Sequence, residues 1–158
     1  MSGEMKLAEA LALRSDATKR VEQLRTRIVA NARYQEGETP AEDAGELLAE
    51  AGSTLDELES LIRRINRTNS ATPLGSGTMT DALARRDVLR LRHSVLTAAA
   101  DAAAGRAQGM GRQLRSELRY LAALPVAELR ARADRVAVEL RGVDVDIQRT
   151  NWEAGLLD

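Results

Sequence analysis

Glu36, Glu38, Glu42 and Asp43 place four carboxyl groups within eight positions. Acidic oxygens at such density suit a hard cation such as Ca²⁺ or Mg²⁺. The same residues also suit a helix start, where acids cap free amides and face the positive end of the helix dipole. Capping is the preferred reading, with these four kept as candidates for a metal site.

The rest of the chain offers little reactive chemistry. His93 is the single histidine and there are no cysteines. Thiol catalysis, disulfides and cysteine-ligated zinc are therefore excluded. Carboxylate-bridged metals in helical bundles use Glu-x-x-His on two helices, which one histidine cannot supply. His93 reads as a surface or semi-buried helix residue beside Arg90 and Arg92. No Ser or Thr has the setting of an activated nucleophile, and phosphate-binding and dinucleotide-binding glycine motifs are absent. The expectation is a protein that is not an enzyme and holds no cofactor.

Charge is segregated. Residues 36–59 hold nine acids and no Lys or Arg, whereas residues 85–119 hold eight arginines. Arg85, Arg86, Arg90 and Arg92 form a candidate basic surface for phosphate or nucleic acid. A net charge of −1 and the lack of interleaved aromatics disfavour nucleic acid. Acidic and basic helices facing each other, within one chain or between copies, is the preferred reading. A third group, Gln35, Asn66, Asn69, Asp87 and Asn151, forms a candidate polar network near helix ends, of the kind that sets helix register.

Helices must position these groups. Hydrophobic residues make up 44% and charged residues 30% of 158 residues, with no Phe and only three aromatics, Tyr34, Tyr120 and Trp152. Ala, Leu, Arg and Glu dominate, all strong helix formers. No run of 18 apolar residues exists to span a membrane. The start of the sequence lacks a basic region followed by an apolar one, so the expected location is cytoplasmic.

A first helix is expected over about 4–32, with Leu7, Ala10, Ala17, Val21, Leu24 and Ile28 on one stripe. Thr39, Pro40 and Glu42 predict a capping box opening a second helix over about 40–68. Its coiled-coil-like seam is Ala44, Leu48, Ala51, Leu55, Leu58, Ile62 and Ile65. Residues 69–78 read as a loop, and Thr78 or Thr80 caps a third helix with Asp81 in its first turn. The expected stripe there is Ala84, Val88, Leu91, Val95, Ala98 and Ala102. Gly105, Gly109 and Gly111 mark a loop around Met110. Residues 116–125 suit either a short helix or an extended crossing. Pro125 at the first helical position opens the last helix, with seam Leu129, Ala133, Val136, Leu140, Val143 and Ile147, ending near Trp152. The fold expected is all-α: one domain over 1–158, four long amphipathic helices in an elongated bundle, with one short irregular segment before the last.

Five blocks occur in an order that resembles a family of small bacterial helical proteins labelled septicolysin-like. They are Lys6 to Leu11, Gln35 to Asp43, Ile65 to Asn69, Leu83 to Asp87, and Ile147 to Trp152. The segment Ser116 to Pro125 departs from the family's more β-like pattern. The resemblance implies a helical fold and bacterial origin, and its label implies a membrane-active cytolysin. The chain itself lacks an aromatic belt and a Lys-rich amphipathic face, which disfavours a membrane surface as partner. The leading expectation is a non-enzymatic homo-oligomer held by helix seams.

Overall fold

A computed structural model of the chain describes residues 4–106 and 118–158. Met110, Gly109, Gly111, Ser116 and Glu117, which entered the expectations above, lie outside the described residues. The elements are α1 (Leu7–Asn31), α2 (Ala44–Ala71), β1 (Pro73–Leu74), β2 (Gly77–Thr78), α3 (Met79–Ala103) and α4 (Val126–Glu153). The described residues are all-α apart from this two-stranded hairpin. Residues 118–125, the described part of the ambiguous segment, form neither helix nor strand.

The described residues fall into two compact units. The first holds α1, α2 and the chain from Gln148 onward; the second runs from Leu74 to Ile147.

In the first unit, α1 begins where the preceding chain forms an antiparallel bridge, Lys6 to Gly155. The Leu7 amide donates to the Ala154 carbonyl (2.9 Å) and the Leu156 amide to the Met5 carbonyl (2.8 Å). The Lys6 amide donates to the Glu9 carboxylate (2.9 Å), which satisfies one of the free donors of the first turn. The expected α1 stripe faces inward as read, with Leu7, Ala10 and Leu24 buried and Ala17, Val21 and Ile28 half-buried. Leu24 and Ile28 pack on Leu47 and Ala51 of α2.

The start of α2 corrects the sequence reading. The cap is Asp43, not Thr39; its carboxylate accepts from the Gly45 amide (2.8 Å) and the Glu46 amide (3.1 Å). Asp ranks among the best N-caps, above Thr. Glu42 is drawn away from any capping role by Arg27, and its amide donates to the Asn31 side-chain oxygen (3.1 Å). Asp43→Ala is expected to cost about 0.5–2 kcal/mol, read as a lower denaturant midpoint at unchanged slope.

The inward seam of α2 is also displaced from the expected one. Leu47, Ala51, Thr54, Leu58, Leu61, Ile65 and Thr68 are buried or half-buried, whereas Leu48, Leu55 and Ile62 are exposed. Both sets repeat at 3–4 spacing and share Ala51, Leu58 and Ile65. One residue is about 100° of helix rotation, so the displaced set lies on the flank.

The second unit opens with a tight hairpin whose turn uses Gly75 at φ +60, a left-handed conformation that favours glycine. It delivers Thr78 as the cap of α3. The Thr78 amide donates to the Asp81 carboxylate (2.8 Å) and the Asp81 amide to the Thr78 hydroxyl (3.4 Å). Of the two expected caps, Thr78 is the one used. Pro125 stands just before α4 rather than in its first turn, and its carbonyl accepts from the Leu129 amide (3.0 Å).

Leu89, Leu96 and Ala100 of α3 pack with Leu129, Ala133 and Val136 of α4, joined by Ala99, Leu140 and Val143. The α4 seam therefore faces inward as expected. The α3 stripe does not: Ala84, Val88, Leu91, Val95, Ala98 and Ala102 are all exposed. The inward residues are Ala82, Arg86, Leu89, His93, Leu96 and Ala100, buried or half-buried. Leu89 and Leu91 are two residues apart, about 200° of rotation, so α3 carries apolar stripes on opposite sides.

Candidate functional site

The four acidic candidates do not converge. Glu36 and Glu38 are exposed around a turn at Gly37, where the Glu38 amide donates to the Gln35 carbonyl (3.0 Å). Glu42 receives the Arg27 guanidinium, with Nε 2.9 Å from Oε2, and Asp43 caps α2. Among the described residues no group of three His, Cys, Asp or Glu side chains gathers as metal ligands would.

Hydrogen bonds from Arg27 hold the Glu42 carboxyl below its ordinary value and raise the Arg27 guanidinium, the attraction between the two charges adding to both shifts against a desolvation cost. A carboxylate lowered on folding adds stability above its unfolded value, about pH 4.3, and loses it as pH falls through the lower folded value. Arg27 stays charged throughout that range. Acid titration of wild type and Glu42→Gln is therefore expected to show a shallower loss of stability below about pH 4.3 in the variant. Superimposable curves would show that the pair adds nothing.

The polar candidates are scattered too. Gln35 lies before α2 and Asn66 and Asn69 at its far end, while Asp87 belongs to α3 in the other unit. Asn151 is buried, Asn69 is half-buried, and Gln35, Asn66 and Asp87 are exposed. Among the described residues no hydrogen bond joins any two of the five.

Segregated charge is partnered locally. In the first unit Arg20 pairs with Glu50 and Arg27 with Glu42, so arginines of α1 meet one acid of α2 and one just ahead of its cap. In the second, Arg85 pairs with Glu139 (2.7 Å), Arg90 with Asp144 (3.8 Å) and Arg130 with Asp101 (2.7 Å). The candidate basic surface is thereby split. Arg86 turns inward beside Asp87, and Arg90 lies toward Asp144. Arg85 and Arg92 instead line a groove of about 650 Å³ with Arg132, Arg135 and Glu139 of α4. Sequence reading missed Arg132 and Arg135 because they lie on a different helix from the arginine run.

Two further features escaped sequence reading. The first is a clasp on the last residues. Arg64 Nε donates to the Leu157 carbonyl (3.0 Å), Arg67 donates to the Asp158 carbonyl (2.7 Å), and the buried Thr68 hydroxyl accepts from the Leu157 amide (3.0 Å). It is explained as structure. The second is the outward facing of large apolar side chains at regular spacing, six of which belong to the stripes expected for α2 and α3. These are Leu48, Leu55 and Ile62 on α2, Val88, Leu91 and Val95 on α3, and Val138, Val145 and Trp152 on α4. Leu91 and Val95 are 67% and 68% exposed, although singly placed surface apolars are common and only their alignment is informative. Such aligned stripes can hold another helix. Among the described residues no helix is long and apolar enough to cross a membrane.

Comparison with known proteins corrects the resemblance to septicolysin-like proteins. The model that matches, over residues 14–156, is that of a family of unknown function, DUF6847. A crystal structure of a functionally unknown conserved protein from Corynebacterium diphtheriae is similar at 40% identity, with a TM-score of 0.90. The match covers 98% of this chain and 100% of that one. No curated protein matches. Neither match points to a septicolysin-like family, and the blocks that suggested it include residues with structural tasks, such as buried Ile65, Thr68, Ile147 and Asn151. With the model matching nearly the whole molecule, the chain belongs to the family of unknown function DUF6847.

Proposed function

We propose that this protein is a non-enzymatic structural or interaction protein that self-associates through its outward apolar stripes. The observation that carries the reading is the second apolar stripe of α3, set opposite the stripe that packs on α4. A helix with one buried stripe needs polar residues on its other side. Six residues at 3–4 spacing on that outer side are the pattern of a helix with two neighbours. The aligned leucines and isoleucine on the flank of α2 support the same reading.

Light scattering on the pure protein over a wide concentration range tests it. The expected mass is a multiple of the 17.2 kDa chain. A mass of one chain at every concentration would sink the proposal.

A further inference from the structure

Resting on the self-association reading, we infer that α3 pairs with α3 of a second copy in parallel, as a two-stranded coiled coil along its outer stripe. Three observations select this helix, this partner and this direction.

The first is completeness of the stripe. On α2 the outward apolar positions recur once per heptad, at Leu48, Leu55 and Ile62, separated by residues such as Gly52 and Glu59. On α4 they also recur once per heptad, at Val138, Val145 and Trp152. Only on α3, among the described helices, are both positions of the heptad apolar and exposed in succession, from Ala84 to Ala102; the a position ahead of this run is Asp81, held in the cap of α3. Val88, Val95 and Ala102 occupy the a positions, and Ala84, Leu91 and Ala98 the d positions.

The second is side-chain shape. Among parallel coiled coils, a β-branched residue at a with Leu at d favours two strands. Val88, Leu91 and Val95 follow that rule at the centre, and the flanking alanines permit close helix approach.

The third is charge. With this assignment Arg85 and Arg92 fall at e, and Asp87 and Asp101 at g. In a parallel pair, a g residue faces the e residue of the partner's next heptad, so Asp87 meets Arg92 of the second copy twice across the symmetry axis. An antiparallel pair would set e against e and g against g, arginine facing arginine and aspartate facing aspartate. Arg92 has no ion partner among the described residues, and Asp87 touches only Arg86 at 3.4 Å. Arg85 is already held by Glu139, and the residue facing it would be Thr80 of the second copy, which is neutral.

The absence of native cysteines makes the test free of background. Ala84→Cys and Ala98→Cys lie about 21 Å apart along α3, both on its exposed face. Each variant is oxidised alone and as an equal mixture, with folding checked by circular dichroism, and cross-links are mapped by mass spectrometry. The expected result is a disulfide dimer from each variant alone, with no link between positions 84 and 98 in the mixture. Links found only between 84 and 98 would mean an antiparallel pair and overturn the inference. No link at either position, in protein that scatters as an oligomer, would place the interface on another face and overturn the inference while leaving self-association standing. A monomer by scattering would remove both. As a second arm, Asp87→Arg and Arg92→Asp are each expected to raise the dissociation constant at least about tenfold, and the double variant to return it close to wild type. A double variant no better than either single one would contradict the parallel pairing.

Discussion

Leu24→Ala is expected to destabilise the protein by about 2–5 kcal/mol, the range for emptying a leucine site in a packed core. Leu91→Ala is expected to change the stability of the dissociated chain by no more than about 0.5 kcal/mol, as surface substitutions do. Both leucines sit on helical apolar stripes and look equivalent in the sequence. Leu24 is fully buried against Leu47 and Ala51, while Leu91 is 67% exposed. Truncating Leu24 removes transfer energy and leaves a cavity between α1 and α2; truncating Leu91 leaves no cavity in the chain. Denaturant unfolding at low protein concentration reads both, because assembly would otherwise add an apparent stabilisation. At high concentration Leu91→Ala should lose part of the wild-type stability. Equal losses for the two variants in dilute solution would mean that Leu91 is buried within the single chain.

Thr68→Val is the second large effect expected, about 1–3 kcal/mol. Valine matches threonine in shape but cannot accept a hydrogen bond. Thr68 is buried at the last turn of α2, where its hydroxyl donates to the Arg64 carbonyl (2.8 Å) and accepts from the Leu157 amide (3.0 Å). The variant leaves a part-buried amide without its partner, which costs more than the hydrogen bond itself contributed. The last residues should then release from α2, and amide exchange at Leu157 should rise well beyond the global change. Unchanged exchange at Leu157 would show that Arg64 and Arg67 hold the segment unaided.

How far the sequence could be read depended on whether a helix had one apolar face or two. On α1 and α4 the inward repeat is the fuller one, the outward set of α4 recurring only once per heptad, so Leu24 and Ile28, or Leu129 and Val136, were assignable from spacing. On α2 two repeats overlap, and spacing cannot choose between Leu47, Thr54, Leu61 and Leu48, Leu55, Ile62. On α3 the larger residues of the outer stripe, Val88, Leu91 and Val95, outweighed an inner stripe broken by Arg86 and His93. Periodicity reports that a face is apolar, not what covers it. The Thr39 box failed for a local reason: Asp43 is the stronger cap and Arg27, distant in sequence, claims Glu42. The clasp of Arg64, Arg67 and Thr68 on Leu157 and Asp158 joins positions about ninety residues apart, which no local pattern encodes. The acidic and polar candidates were legible as residues, but their grouping was not, because neighbours in sequence were taken up by separate structural tasks.

The central claim is that the outward stripes are covered by another copy of the chain. Hydroxyl-radical footprinting across a dilution series measures this directly, residue by residue. The account predicts that Val88, Leu91 and Val95 are protected in concentrated protein and become reactive on dilution, while buried Leu24 and Leu96 stay protected throughout. Full reactivity of the three α3 residues at every concentration would contradict it.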